Sequence, residues 1–271
     1  MEKKLAFIGA GNMGSAVRNA VMQGVSPGQI MVSDPMGAKI PAAKALRVTS
    51  CNVEATQWAD IIFLCVKPQV GAAVLAEIAP VLKEAHDKGR PKLLCSILAG
   101  VTLSSLAEMV GITNYPIARL MPNMPVAVGQ GLILLACSGV SAPEKQELLT
   151  LLAPCGAVEE LAEESFDFAT VLAACSPAFF ADFFGALAQS GQGHLPPEKA
   201  LEMTLLAAQG TAAMLLEQPD TEALKRMVMS PGGSTAKGVE ALAAAGLAEI
   251  VNNAAQAAYN RNKELGEMGK K

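Results

Sequence analysis

The sequence predicts an α/β domain with a doubly wound, largely parallel sheet, followed by an all-helical C-terminal domain. In the first part of the chain, apolar runs of strand length alternate with helical segments, a pattern typical of parallel sheets with right-handed crossovers. From about Glu163 the strand-like runs disappear, and stretches rich in alanine, leucine and methionine continue to the end. We therefore expect two domains, residues 1–162 and residues 163–271.

The predicted strands are short apolar runs that end at polar, glycine or proline residues. In chain order they are residues 3–8, Gln29 to Ser33, Asp60 to Val66, Lys92 to Ile97, Tyr115 to Leu120 and Gly131 to Cys137. Helices are predicted at residues 13–24, 72–85, 102–110 and 143–153. In this prediction the run from Asp60 to Val66 is the third strand.

Composition excludes several classes of protein. The 271 residues are 51% hydrophobic and 17% charged, which is far from the composition of a disordered chain. The net charge of −4 is too small and too dispersed to indicate a nucleic-acid partner. The longer uninterrupted apolar runs, 61–66 and 132–137, are much shorter than the ~18 residues of a membrane span. Because the N-terminus also lacks an apolar leader, we expect a cytoplasmic protein without membrane contact.

Cysteine and histidine patterns provide no metal site. The six cysteines are widely and irregularly spaced, so we expect reduced core residues. With only His86 and His194, about a hundred residues apart, the chain has no zinc pattern and little material for a histidine-based triad.

The first chemical motif is a glycine loop, GAGNMG at 9–14, between the first strand and the first helix. Gly9 permits a tight turn, Gly11 lets the backbone approach a pyrophosphate, and Gly14 lets the helix pack closely on the strand. The free N–H groups of the helix N-terminus favour an anion. This context predicts a Rossmann-like domain that binds a dinucleotide, with a purely structural glycine turn as the alternative.

Asp34 stands at the end of the second strand, about 20 residues after the glycine loop, where an acidic residue normally binds the ribose hydroxyls of NAD. No arginine follows closely, although Ser33 and Lys39 are candidates for a 2′-phosphate pocket. These residues favour NADH over NADPH. The alternative is that Asp34 is only a turn residue before Pro35.

Two further segments follow predicted strands, at the edge where open α/β sheets bind ligands. The first is Val66-Lys67-Pro68, and the second is residues 119–125, which contains Asn123. Lys67 is equally interpretable as a surface lysine, and Asn123 as a turn residue beside prolines.

The segment SPGGST at 230–235 combines two glycines with hydroxyl side chains at the start of a helical run. Consecutive amides from Gly232 to Thr235 would form an anion-binding nest, and the hydroxyls of Ser234 and Thr235 would bind a polar substrate. A helix–helix connection with N-caps is the alternative.

Five segments, taken in order, resemble the pyrroline-5-carboxylate reductase family. They are GAGNMG at 9–14, VKPQ at 66–69, SILAGVTLSSL at 96–106, RLMPNMPVAVGQG at 119–131 and SPGGST at 230–235. The resemblance spans nearly the whole chain. It implies reduction of L-1-pyrroline-5-carboxylate to L-proline with NADPH or NADH, the last step of proline biosynthesis. It also implies a helical domain that forms an interlocked homodimer, often built into decamers.

The resemblance implies the site residues by position. The cofactor residues would be Gly9, Gly11, Asn12, Met13, Gly14, Asn52, Lys67, Pro68, Ala99, Gly100 and Asn123. The SPGG-x-T loop would hold the substrate carboxylate through the amides of Gly233, Ser234 and Thr235, with the Thr235 hydroxyl on the imine nitrogen. Glu217 matches a glutamate on the preceding helix that lies near the imine, although two extra residues follow Pro219 here.

One segment departs from the family pattern. Where the family commonly reads SGSGPAY, this chain has AACSPAF at 173–179, which puts the roles of the usual first serine and tyrosine in doubt. The small residues and Pro177 are still expected to break the helix.

Two other classes of protein remain as alternatives. A related imine or β-hydroxyacid dehydrogenase would share the two-domain plan, but the latter needs a lysine that residues 163–190 lack. A non-catalytic nucleotide sensor would keep the glycine loop without needing SPGGST.

Overall fold

The computed structural model describes residues 3–35 and 46–268, and it confirms the predicted fold class. The described strands form one sheet in the order β3-β2-β1-β4-β5-β6-β7-β8. They are β1 (Leu5–Ile8), β2 (Ile30–Ser33), β3 (Arg47–Thr49), β4 (Ile61–Leu64), β5 (Leu93–Ser96), β6 (Ile117–Pro122), β7 (Gly131–Ser138) and β8 (Gly156–Glu160).

The sheet is parallel except where β6 pairs with β7. Leu5 of β1 is in register with Ile30 on one side and Ile61 on the other, so the chain reverses its winding direction at β1. Parallel strands place their carboxyl ends along one edge, and a ligand binds in the crevice where the winding reverses. The segments that follow β1, β2, β4, β5 and β6 therefore meet at this edge.

Five α-helices connect or flank the strands: α1 (Asn12–Val21), α2 (Asn52–Trp58), α3 (Pro68–Asp87), α4 (Leu103–Val110) and α5 (Ala142–Leu152). Their ends follow local chemistry. The Thr102 hydroxyl accepts from the Ser105 amide at the start of α4, and Gly111 closes that helix with φ +72°. Ser141 and Glu144 form a capping box at the start of α5.

Apolar side chains cover both faces of the sheet. Phe7 and Phe63 stack on one face with ring centroids 4.6 Å apart, within the cluster that also contains Val17 of α1. Ile8 and Tyr115 belong to the cluster on α3 and α4. Burial on both faces explains why these strands are continuously apolar rather than alternating.

The C-terminal part contains only helical elements among its described residues. They are α6 (Phe166–Thr170), α7 (Ser176–Gln189), α8 (Pro197–Glu217), α9 (Thr221–Val228), α10 (Ser234–Ala244) and α11 (Leu247–Met268). Compact contacts divide the chain into one unit of residues 1–175 with 258–271 and a second unit of residues 176–257. Within the first unit Nδ2 of Asn262 donates to the Asp167 carbonyl at 3.2 Å.

The structure corrects several details of the predicted elements. The run from Asp60 to Val66 is the fourth strand, because β3 precedes it. The strands β3 and β8 and the helix α2 were not predicted. Of the three residues of β3, Arg47 and Val48 are exposed, and β8 ends in two glutamates. Exposed edge strands lack the apolar run that identifies a central strand.

Two predictions about individual residues are wrong. Pro177 does not break its helix, because residues 171–175 form a π-helical segment that leads directly into α7. A π-bulge absorbs a local mismatch in the backbone hydrogen bonds without ending the helix. Cys51 is exposed rather than in the core, and its sulfur caps α2 by accepting from the Glu54 amide at 3.5 Å. All six cysteines are free thiols.

The helical unit at 176–257 has almost no core of its own. Only Ala200 and Ala236 are buried among its residues. Its exposed large apolar side chains include Phe180, Phe183, Leu187, Leu201, Met203, Leu205, Leu206, Met214, Leu216, Met227, Ile250 and Val251. An apolar surface of this extent marks an interaction site. Residues 163–189 are also long and apolar enough to cross a membrane by length and composition, a criterion that core helices of soluble proteins meet as well.

Candidate active site

The glycine loop is held between the ends of two strands. Gly9 has φ +100°, and its amide donates to the Ser33 carbonyl at 2.8 Å. A Cβ added at Gly9 would lie 2.7 Å from the carbonyl oxygen of Cys65. Both the positive φ and this close approach require glycine. The sequence-based role of Gly9 in a tight turn agrees with this geometry.

Gly11 and Gly14 meet two different environments. Gly11 caps α1 in extended conformation, and an added Cβ there would meet no heavy atom of the described residues within 4 Å. A Cβ at Gly14 would lie 2.7 Å from Cβ of Cys65, so α1 packs directly on the end of β4. Asn12 is exposed and Met13 half-buried in the first turn.

The start of α1 fits the pyrophosphate of a dinucleotide. Its first turn carries no acidic residue, and Gly11 leaves the space in front of the helix N-terminus open. Burial raises the pKa of the Cys65 thiol beneath the loop to about 12, so this group stays neutral at physiological pH and adds no negative charge.

Asp34 lies directly after β2 and contacts the glycine loop. Its Oδ2 accepts from the Ala10 amide at 2.8 Å, and its side chain is half-buried. One oxygen of the Asp34 carboxylate therefore orients the glycine loop. In the alternative interpretation, Asp34 is only a turn residue and would have no such role. Lys39, the other candidate near a 2′-phosphate, lies outside the described residues.

Ser33 and Asn52 form a hydrogen-bonded pair beside Asp34. The buried Ser33 hydroxyl donates to Oδ1 of Asn52 at 2.7 Å, and Nδ2 of Asn52 donates to Oε2 of Glu77 at 2.7 Å. The Ser33 proton is therefore committed to Asn52. Glu77 was not identified from the sequence, because it lies 25 residues from Asn52 on the exposed side of α3.

The other cofactor candidates follow the next strands of the same edge. Val66, Lys67 and Pro68 connect β4 to α3, with Lys67 exposed at the N-cap and Pro68 as the first helical residue. Ala99 and Gly100 follow β5 and are half-buried, and Gly100 has φ +76°. The structure thus brings these residues to the carboxyl ends of adjacent parallel strands.

Asn123 follows β6, but its side chain is buried and engaged in structure. Its Nδ2 donates to the Ala173 carbonyl at 2.8 Å, and its Oδ1 accepts from the Leu132 amide at 2.9 Å. These bonds join the end of β6 to β7 and to the π-helical segment. Asn123 therefore shapes the edge of the site. Any contact with a cofactor would use the second hydrogen of its Nδ2 or the second lone pair of its Oδ1.

A partly buried ion pair beside these loops was missed from the sequence. Nη1 of Arg119, on β6, lies 2.8 Å from Oε1 of Glu163, and the Arg119 side chain is 3% exposed. The same Oε1 accepts from the Leu103 amide at 2.7 Å. A charged residue inside the otherwise apolar run 115–121 was the available signal, since a buried charge requires a partner.

The predicted substrate loop lies in the helical unit. Gly232 has φ +71°, and the Gly233 amide donates to the Ser230 carbonyl at 2.9 Å. A Cβ at Gly233 would lie 2.4 Å from Oγ of Ser230. Gly233 is the N-cap of α10, and Ser234 and Thr235 are its first two residues. The amides of these residues are thus at the helix N-terminus, as an anion site requires.

Thr235 is exposed in the first turn of α10. Its hydroxyl makes no hydrogen bond to any residue within 3–35 or 46–268. Because the cap is Gly233, the alternative in which Thr235 caps the helix is wrong for this residue. The hydroxyl is available to a ligand.

Glu217 is the last residue of α8 and is exposed. The helix α9 lies between Glu217 and the SPGGST loop. The resemblance suggested that Glu217 lies on the helix immediately before that loop, and this prediction is wrong. Asp220, three residues later, caps α9 by accepting from the Ala223 amide at 2.8 Å.

Family models match both parts of the chain. Residues 163–265 match the model for pyrroline-5-carboxylate reductase dimerisation. Residues 4–100 match the model for the NADP oxidoreductase, coenzyme F420-dependent, family.

Full-length relatives and solved structures agree with these matches. The pyrroline-5-carboxylate reductase of Pseudomonas aeruginosa is 36% identical over 98% of this chain and 97% of its own length. That of Escherichia coli is 34% identical over 98% and 99%. The crystal structure of the Plasmodium falciparum pyrroline carboxylate reductase with NADP bound is 31% identical, covers 98% of this chain and 99% of its own, and has a TM-score of 0.89. The chain therefore belongs to the pyrroline-5-carboxylate reductase family.

Proposed function

We propose that the protein reduces L-1-pyrroline-5-carboxylate to L-proline with NADPH or NADH. The observation that carries this proposal is the likeness to named reductases over their full length, at 30–36% identity. The site geometry agrees with it, because a glycine loop fitted to a dinucleotide and an anion nest with a free hydroxyl occur in one chain.

The residues along the carboxyl edge of the sheet would hold the cofactor. The amides at the start of α1 would bind the pyrophosphate, Asp34 the ribose, and the loops after β4 and β5 the ribose and nicotinamide. When bound, the nicotinamide supplies the hydride. The protein positions the reacting groups, and this chemistry requires no histidine.

The loop at 232–235 would hold the substrate. The amides of Gly233, Ser234 and Thr235 bind the carboxylate, and the Thr235 hydroxyl donates to, or exchanges a proton with, the ring nitrogen. This binding places the positive helix end beside the anionic group of the imino acid. We also propose that Glu217 acts near the imine.

The assay that separates the candidate functions compares substrates. We expect NADPH or NADH oxidation with pyrroline-5-carboxylate and none without an imino acid. Oxidation of a β-hydroxy acid with NAD⁺ or NADP⁺, without imine reduction, would assign the dehydrogenase alternative. Cofactor binding without turnover of either substrate would assign the sensor alternative.

The carboxylate of Asp34 predicts a higher kcat/KM with NADH than with NADPH, because a negative charge at the ribose disfavours a 2′-phosphate. We expect Asp34→Ala to lower this preference. Asp34→Asn keeps an oxygen that can accept from the Ala10 amide and removes only the charge. It should shift the ratio of kcat/KM values toward NADPH by about 3–10-fold, equivalent to ~0.7–1.4 kcal/mol. An NADPH preference that neither substitution changes would reject this role for Asp34.

We propose that the helical region forms a homodimer, which larger assemblies such as a decamer would contain. Two observations support a second copy of this chain, rather than a membrane, as the partner that covers this apolar surface. They are the exposed apolar side chains at 176–257 and the match to the dimerisation model at 163–265. A cytoplasmic location and a division into residues 1–162 and 163–271 are part of the same proposal.

Light scattering tests the assembly. We expect at least twice the 28.0 kDa of one chain at working concentration. A monomer with full activity at that concentration would contradict the proposal.

A further inference from the structure

We propose that Arg119 and Glu163 are positioning residues that hold the loop at 97–102 in place for the cofactor. The inference rests on the proposed function, which places Ala99 and Gly100 beside the ribose and nicotinamide. It assigns a role to Glu163 and to Arg119, the first residue of the segment at 119–131, neither of which received a role from the sequence.

Glu163 joins three separate segments through one oxygen. Its Oε1 accepts from Nη1 of Arg119 at 2.8 Å and from the Leu103 amide at 2.7 Å. Leu103 is the first residue of α4, directly after the loop. The near end of the loop is tied to the sheet, because the Ile97 amide donates to the Leu64 carbonyl at 3.1 Å. Glu163 therefore provides the corresponding tie at the far end.

The Leu103 amide has no alternative acceptor within its helix. The first N–H groups of an α-helix lack intrahelical partners, and the Thr102 hydroxyl is used by the Ser105 amide. Loss of the Glu163 carboxylate would leave Leu103 unbound at a partly buried position. The far end of the loop would then be held by apolar packing of Leu98, Val101 and α4, without the hydrogen bond that fixes the Leu103 backbone.

Arg119 fixes the position of Glu163. It lies on β6 beside Ser96, the last residue of β5, which immediately precedes the loop. Its guanidinium stacks over the Phe166 ring at 4.5 Å. Its Nε is buried and has no hydrogen-bond partner among the residues that the structure describes. The ion pair with Glu163 and the contact with the Phe166 ring thus provide most of the interactions that stabilise the buried Arg119 guanidinium.

A second tie runs between the same two parts of the first unit. The Asn123 side chain, one residue after β6, donates to the Ala173 carbonyl in the π-helical segment. The segment at 163–175 is therefore hydrogen-bonded at two points on or beside β6, and the Glu163 point also binds the residue directly after the loop at 97–102. Ala99 of that loop packs against the same apolar cluster as Phe166 and Ala173. Arg119 and Glu163 are expected to act on the cofactor through that loop, without touching it.

The test separates positioning from stability with a double substitution. Glu163→Met leaves the buried charge of Arg119 unpaired, and Arg119→Met leaves the half-buried Glu163 unpaired, so each should lower the melting temperature. Replacing both by methionine removes both charges, and such apolar pairs are often as stable as the ion pair. The double variant should regain most of the melting temperature but still lack an acceptor for the Leu103 amide.

We expect three results for the double variant. Hydrogen exchange at the Leu103 amide should become at least tenfold faster, the Kd for NADPH measured by fluorescence should rise about tenfold, and kcat should fall. The matched control is Lys145→Met with Glu160→Met, which removes an exposed ion pair of 2.8 Å in the same unit. The control should change none of these three quantities.

A further variant covers the case in which the double variant does not fold. Glu163→Gln keeps an oxygen at the same place but loses the charge, so it should raise the Kd for NADPH by about 2–4-fold. Unchanged Kd and unchanged exchange at Leu103 in the folded double variant, or an unchanged Kd in Glu163→Gln, would overturn the inference. Because both readouts need only NADPH, a wild-type protein that fails to reduce the imino acid would contradict the proposed function without deciding this role.

Discussion

Thr235→Ala is expected to lower kcat by roughly tenfold to a thousandfold, because one hydrogen-bond donor to a charge that develops in the transition state is worth ~1.4–4 kcal/mol. The Thr235 hydroxyl is exposed in the first turn of α10 and makes no bond to the described protein, so its removal breaks no structural contact. The amides that would bind the substrate carboxylate remain. The Kd for NADPH should therefore stay nearly unchanged.

Measurements of melting temperature and kcat on the same variant decide this prediction. Loss of an N-cap costs about 1 kcal/mol, but the N-cap here is Gly233, so the melting temperature of Thr235→Ala should not fall. Thr235→Ser keeps a hydroxyl and should retain more activity. A lower melting temperature with normal turnover would remove Thr235 from the catalytic residues.

Gly11→Ala should weaken cofactor binding while leaving the fold intact. Its backbone has φ −66°, which alanine adopts readily, and the new methyl would meet none of the described protein within 4 Å. The methyl would instead occupy the space through which the pyrophosphate approaches the backbone. We expect the Kd for NADPH and NADH to rise by about tenfold or more, which corresponds to ~1.4 kcal/mol, at an unchanged melting temperature.

Gly9→Ala is the matched variant in the same loop. There φ is +100° and the new Cβ would lie 2.7 Å from the Cys65 carbonyl oxygen, so the substitution should destabilise the fold itself. The strained backbone alone costs about 1–3 kcal/mol. If Gly11→Ala bound both cofactors as tightly as the wild type, the pyrophosphate would not lie at this loop.

The central strands were predictable because each is buried on both faces and is therefore continuously apolar. The edge strand β3 was not, since Arg47 and Val48 are exposed and only three residues pair. The antiparallel pairing of β6 with β7 was also not predicted. The alternation of strands and helices indicates parallel crossovers, and it does not show the direction of a strand that follows another without a helix between them. The π-helical segment depends on the surroundings of residues 171–175, which local propensity does not contain.

The candidate site divides in the same way. The glycine loop and SPGGST were recognisable from their glycines, and the structure shows different reasons for them. Gly9 and Gly232 have positive φ, an added Cβ at Gly14 or Gly233 would lie within 3 Å of another atom, and Gly11 leaves space at the helix N-terminus. The Arg119 and Glu163 pair was not recognisable, since the residues are 44 positions apart and their pairing depends on the fold. Likewise, nothing in the local sequence showed that Ser33 and Asn52 would bind each other across 19 positions.

The central claim is reduction of an imino acid by this chain, and the most direct test counts products. Purified protein is incubated with pyrroline-5-carboxylate and either NADPH or NADH, and both the oxidised cofactor and the L-proline are quantified. The account predicts one L-proline for each cofactor oxidised, and no oxidation when the imino acid is omitted. Folded protein that binds the cofactor but forms no proline with NADPH or with NADH would contradict it.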